Sequence, residues 1–143
     1  MTYDAQQLMK MSQPELDALF KASTAGDIPK GVGAGTAIIA PGTAYSAPIA
    51  EAINRFAWQG KVFDPDTGTL RNEILPMGIN AVIAKVYKGP SWLDGKECIV
   101  LDYSDTSLLA HYIRDEIRQI GPGFYFGPVY WSKNHIFNFC LQF

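Results

Sequence analysis

The densest concentration of reactive side chains is His111-Tyr-Ile-Arg114-Asp115-Glu116-Ile-Arg118, with Asp102-Tyr103-Ser104-Asp105 shortly upstream. Together they offer an imidazole, phenols, guanidinium groups and carboxylates within a short length of chain. An arginine turned toward a pocket can hold a ligand carboxylate through two parallel hydrogen bonds. A histidine oriented by a carboxylate can act as a general acid or base, and His111 with Asp115 or Asp102 is the pair on offer. No nucleophile beyond generic serines accompanies that pair. On a strand, Arg114, Glu116 and Arg118 share one face and Asp115 takes the other. The same residues therefore also read as a ladder of surface ion pairs, each worth roughly a few tenths of a kcal/mol.

Other motifs carry less. Gly31-Val-Gly-Ala-Gly-Thr36 is glycine-rich enough to cradle a phosphate, but it precedes a strand instead of leading from one into a helix, and no Gly-Lys-Ser/Thr follows. Asp64-Pro-Asp-Thr-Gly68 has the acids of a calcium loop without its distal glutamate, so it reads as a hairpin turn. His111 and His135 are the only histidines, and neither has a second His or Cys three or four residues away. No metal site and no cofactor is expected. The aromatic residues Trp58, Tyr87, Tyr103, Tyr125 and Tyr130 fall on strands or at their ends, where buried phenols need hydrogen-bond partners and can line a ligand site.

The elements that must position these groups are mostly strands. Ser12-Gln-Pro-Glu15 starts a helix with a reciprocal cap, Met11 and Leu16 form a hydrophobic staple, and Leu16, Leu19 and Phe20 form its core face. Residues Gly26 to Gly35 cannot stay helical. A strand is expected over 35–40 and a short helix from Ser46 to Ala57. From Trp58 the period becomes two, with strands over 58–63, 69–75, 80–88 and 96–103, and a hairpin of 124–131 with 135–143 around Ser132-Lys-Asn134. Cys98-Ile-Val-Leu101 is apolar on both faces, as in a strand covered on both sides. The stretch 105–120 satisfies both periods and is read as a short helix through about Ala110, then a strand. His135, Phe137, Phe139, Leu141 and Phe143 are expected on one face.

Six to seven strands with short turns suggest a single domain, 1–143, with an N-terminal helix and glycine-rich segment followed by a small antiparallel β-barrel, one or two short helices closing an end. The 143 residues are 48% hydrophobic and 18% charged, which suits one globular core and excludes disordered or fibrous classes. A net charge of -2 gives no electrostatic attraction to nucleic acid, and the apolar runs are too short for a membrane span. Residues Met1 to Leu8 lack the basic and apolar regions of a signal peptide. Cys98 and Cys140 read as small buried hydrophobes in a reducing compartment, and a cytoplasmic location is expected.

Trp58-Gln-Gly60-Lys61-Val-Phe63, preceded by a glycine-rich segment and a strand, resembles the W-x-G-K-x-F stretch of bacterial GXWXG-type domains. The resemblance covers residues 12–75 and the last hairpin, although Gly31-Val-Gly33-Ala-Gly35 carries no tryptophan between its glycines. Those domains are similar to lipocalins in plan. The resemblance implies a lipocalin-like barrel that binds a small apolar molecule, and it carries no catalytic residues to transfer.

The expectation is therefore a mainly β, lipocalin-like barrel. It would bind a small, largely apolar, anionic ligand, with Trp58, Tyr87, Tyr103, Tyr125 and Tyr130 lining the site and Arg114 or Arg118 meeting the acid group. Two alternatives stand beside it: a small barrel enzyme of isomerase, cyclase or hydrolase type using His111 with Asp115 or Asp102, and a homodimeric interaction module built on Trp92 or Trp131.

Overall fold

The computed structural model describes residues 3–38, 58–74, 83–104 and 112–143. Two short helices, α1 (Ala5–Lys10) and α2 (Gln13–Ala22), precede eight strands: β1 (Gly31–Ile38), β2 (Trp58–Asp64), β3 (Thr69–Ile74), β4 (Ile83–Pro90), β5 (Glu97–Asp102), β6 (Ile113–Gly121), β7 (Phe124–Trp131) and β8 (Asn134–Gln142). All neighbours pair antiparallel in chain order, and β1 pairs with β8 to close a barrel. The helices expected over 46–57 and before Ala110 lie outside the described residues, as does His111. No described helix is long and apolar enough to cross a membrane.

The eight strands exceed the six to seven expected, and two of them come from segments that the sequence left ambiguous or glycine-rich. β6 is a strand throughout its length, held between β5 and β7. The glycine run is itself the first half of β1, not a turn. Its glycines admit close neighbours: a side chain at Gly33 would run into the Phe143 ring, and one at Gly60 into the Gly33 carbonyl across the β1–β2 pair. Gly60 also has φ +151 beside a register shift, a backbone that disfavours other residues.

Period-two alternation sorts the apolar residues into two cores. One lines the lumen, with Phe63, Leu70, Ile99, Leu101, Ile117 and Phe139 among its members. The other lies outside the wall, where Leu8, Leu16 and Phe20 of the helices cover Cys98, Val100 and Phe126. β5 thus buries both faces, as its uniform apolarity requires. Ser12 and Glu15 form the expected capping box. Between α2 and β1, Ala25 and Ile28 join the lumen core, Thr24 bridges to Gln119, and Asp27 accepts a 2.6 Å hydrogen bond from Tyr125 Oη. That segment fills one end of the barrel.

The outward face of β6 fastens this outer layer. Arg118 is fully buried, and all five of its N–H groups donate: Nε to the Glu97 carbonyl, Nη1 to the Phe20 carbonyl and Asp94 Oδ2, and Nη2 to Asp94 Oδ1 and the Lys96 carbonyl. Its guanidinium also lies over the Phe20 ring at 4.3 Å. Glu116, also fully buried, accepts from Ser91 Oγ, the Trp92 amide and Arg114. The residues read from sequence as a surface ladder are instead a covered clamp, because the 91–96 loop and α2 fold over them.

Hydrogen bonds from Arg118, with burial opposing, hold the Asp94 carboxyl down at about 2. A depressed carboxylate contributes stability that is complete above its unfolded value of about 4 and is lost as pH falls through the folded one. Wild-type stability in urea should therefore decline between about pH 4 and pH 2, and Asp94→Asn should flatten that decline. Arg118→Lys, which keeps the charge but cannot reproduce the fork, should cost about 3–5 kcal/mol at neutral pH.

Candidate functional site

Closure sets which polar groups meet inside. In a ring of eight strands, β2 and β6 stand four places apart and face each other across the lumen. Inward alternation on β2 carries Phe63 and, two residues earlier, Lys61. On β6 it carries Ile113, Asp115 and Ile117. Lys61 Nζ and Asp115 Oδ2 meet at 3.2 Å, so the ion pair spans the lumen. Tyr103, immediately after β5, completes a triangle: Lys61 Nζ donates to Tyr103 Oη at 2.6 Å, and Tyr103 Oη donates to Asp115 Oδ2 at 3.3 Å. Lys61 also lies 5.4 Å from the centre of the Phe139 ring.

The carboxylate is used unevenly. Asp115 is 3% exposed, and its Oδ2 takes both polar contacts. Oδ1 is buried and has no hydrogen-bond partner among the described residues. A buried acceptor left in that state costs about 1–3 kcal/mol. Burial pushes the Asp115 carboxyl above its ordinary value, and the charge and hydrogen bond of Lys61 and the bond from Tyr103 only partly offset it. Burial would lower the Lys61 ammonium, but the charges and hydrogen bonds of Tyr103 and Asp115 outweigh it and hold the cation above its ordinary range. No cluster of ligating side chains suited to a metal ion occurs among the described residues.

The residues singled out from sequence divide between the two faces of the wall. Tyr103 and Asp115 come together in the lumen. Tyr125 is also inward, at the end filled by residues 24–28, with its hydroxyl on the Asp27 carbonyl. Tyr87 is outward and donates to Asp102 Oδ2, which places Asp102 on the outer wall beside Ser104. Tyr130 is outward too, edge-on to Trp92. Arg114 faces outward as well, bonded to Glu116 and the Pro90 carbonyl and lying over Trp92, so neither Arg114 nor Arg118 enters the lumen. The physical reason is strand parity: on β6 an inward Asp115 forces both arginines out. His135 leaves the inward face because the β7–β8 register shifts, and it meets Asn138 and Tyr130 instead. The Trp58 side chain lies outside what is described.

Sequence reasoning missed Lys61, although the signal was present. A lysine sharing parity with Phe63, and a lone aspartate between Ile113 and Ile117, are two charges on apolar faces, each needing an opposite partner.

No protein-family model matches the chain, and no curated protein matches it. A crystal structure of a protein from Thermomonospora curvata is similar in fold, with a TM-score of 0.59 at 16% identity over 92% of this chain and 87% of that one. The likeness supports the barrel fold and extends no further.

Proposed function

We propose that the barrel binds a small, largely apolar molecule in its lumen, with a neutral hydrogen-bond donor of that molecule on Asp115 Oδ1. The buried Oδ1, without a hydrogen-bond partner among the described residues, is the observation that carries this reading. An eight-stranded barrel has a lumen wide enough either to be filled by side chains or to hold one small ligand. The apolar residues of the wall suit the body of such a ligand, and the polar triangle suits one anchoring group. The anionic ligand expected from sequence fits less well, because Arg114 and Arg118 are engaged outside and a ligand carboxylate would meet Asp115 as a like charge. Among lipocalin-like barrels this would be a carrier of neutral amphipathic molecules such as alcohols or amides.

N-phenyl-1-naphthylamine, a neutral fluorophore with an N–H donor, should bind saturably at one per chain, and 1-decanol should displace it better than decanoate. Asp115→Val should weaken the fluorophore by about tenfold, the loss of one hydrogen bond. Absence of saturable binding, or preference for decanoate, would refute the reading.

A buried ion pair replaced by apolar residues of similar volume commonly leaves stability unchanged or raises it, by about 1–4 kcal/mol. Lys61→Met combined with Asp115→Leu should behave that way in urea unfolding, whereas Asp115→Leu alone should cost about 3–5 kcal/mol by stranding the ammonium. A double variant several kcal/mol less stable than wild type would identify the pair as a strut instead of a binding group.

A further inference from the structure

We infer that the lumen site is catalytic as well as binding: Asp115 Oδ1 takes an acidic C–H proton from a neutral carbonyl compound, while Lys61 and Tyr103 hold the other carboxylate oxygen in position. The inference rests on the binding reading above. Its ground is the arrangement of the triangle. Lys61 and Tyr103 both hold Oδ2, which fixes the carboxylate while leaving the lone pairs of Oδ1 without a partner among the described residues. A base that is oriented and desolvated in this manner needs no reorganisation to accept a proton. Burial raises its basicity in the same direction. Lys61 donates to the Tyr103 oxygen at 2.6 Å, which acidifies the phenol and strengthens it as a donor.

The rest of the described lumen narrows the chemistry to proton transfer. Its titratable groups are Lys61, Tyr103, Asp115 and Tyr125, and the Tyr125 hydroxyl is bonded to Asp27. Both thiols lie in the outer layer, Cys98 and Cys140 each pushed up to about 12 by burial, so neither supplies a nucleophile. Lys61 is held as an ammonium and is no nucleophile either. In the step proposed, the C–H bond breaks, the Oδ1–H bond forms, and the electron pair passes to the carbonyl oxygen as an enolate. Where a carbon–carbon double bond lies β,γ to the carbonyl, the enolate extends to a dienolate, and return of the proton from Oδ1 to the γ carbon moves the double bond into conjugation, a redox-neutral isomerisation that needs no co-reactant. The Lys61–Asp115 pair is neutral overall, which favours an uncharged substrate.

5-Nitrobenzisoxazole tests this without knowledge of the natural substrate. A base removes its C3 proton while the N–O bond breaks, releasing a coloured cyanonitrophenolate. Wild-type protein should accelerate the elimination, and Asp115→Asn should lower the rate by about 10²-fold or more, with Asp115→Glu recovering part of it. Tyr103→Phe should lower it by about tenfold with the thermal midpoint near wild type, which keeps the test open if the Asn variant does not fold. The rate should rise with pH through a midpoint above the ordinary carboxylate range. Lys61→Met should move that midpoint higher, a change that a purely structural lysine would not produce. Saturable binding of N-phenyl-1-naphthylamine without catalysed elimination, or an Asp115→Asn rate equal to wild type, overturns the inference and leaves the binding reading standing. No saturable binding of the fluorophore overturns both.

Discussion

The pairing of β1 with β8 is the constraint from which the remaining features follow. An open sheet of eight strands would leave two rows of unpaired backbone groups, and closure removes both. It also turns one face of every strand into a shared interior. β2 and β6 are far apart in sequence and would be far apart in a flat sheet, yet closure brings Lys61 within 3.2 Å of Asp115. Gly33 of β1 and Gly60 of β2 permit this geometry by letting the Phe143 ring and the neighbouring backbone approach where side chains would collide.

β6 shows how one strand serves two purposes through its pleat. Its outward residues Glu116 and Arg118 are buried beneath α2 and the 91–96 loop, with half-buried Arg114 beside them and every guanidinium donor of Arg118 engaged. Its inward Asp115 is also buried, but only one of its oxygens is engaged among the described residues. The contrast is chemically informative. Charged groups that hold a fold together collect partners until they are satisfied, because desolvation penalises each unmet lone pair. A carboxylate that keeps an unmet oxygen in an apolar interior bears an energetic cost that structural duty alone does not explain. Sites of that kind are where binding or proton transfer is to be sought.

The triangle also illustrates how burial and pairing act against each other. Burial favours neutral forms of both Lys61 and Asp115, while their proximity favours the charged ones. For Lys61 the neighbours prevail, and for Asp115 burial prevails. The result is a firmly held cation beside a carboxylate of raised basicity, with a phenol between them. Outside the wall the balance differs: Asp94 meets the Arg118 fork in bidentate geometry, and its carboxyl is held low.

Local physics written in the sequence determined a good deal. The Ser12–Glu15 cap, the turn at Asp64–Gly68, the two-faced apolarity of Cys98–Leu101 and the period-two aromatics of the last hairpin each encode an element through nearest-neighbour chemistry, and together they implied a small antiparallel barrel. Tyr103 was legible as a strand-end aromatic, but the same signal marked Tyr87 and Tyr130, which face outward; Asp115 was legible as the lone charge on the Ile113–Ile117 face. Parity could separate Asp115 from Arg114 and Arg118, but it could not say which side was the lumen. That choice depended on α2 and the 91–96 loop, which cover the arginines through contacts distant in sequence, Arg118 with Phe20 being one. The partnership of Lys61 with Asp115 was likewise decided by tertiary structure, since it exists only because eight strands close into a ring, and closure is a property of the whole chain that no local spacing records.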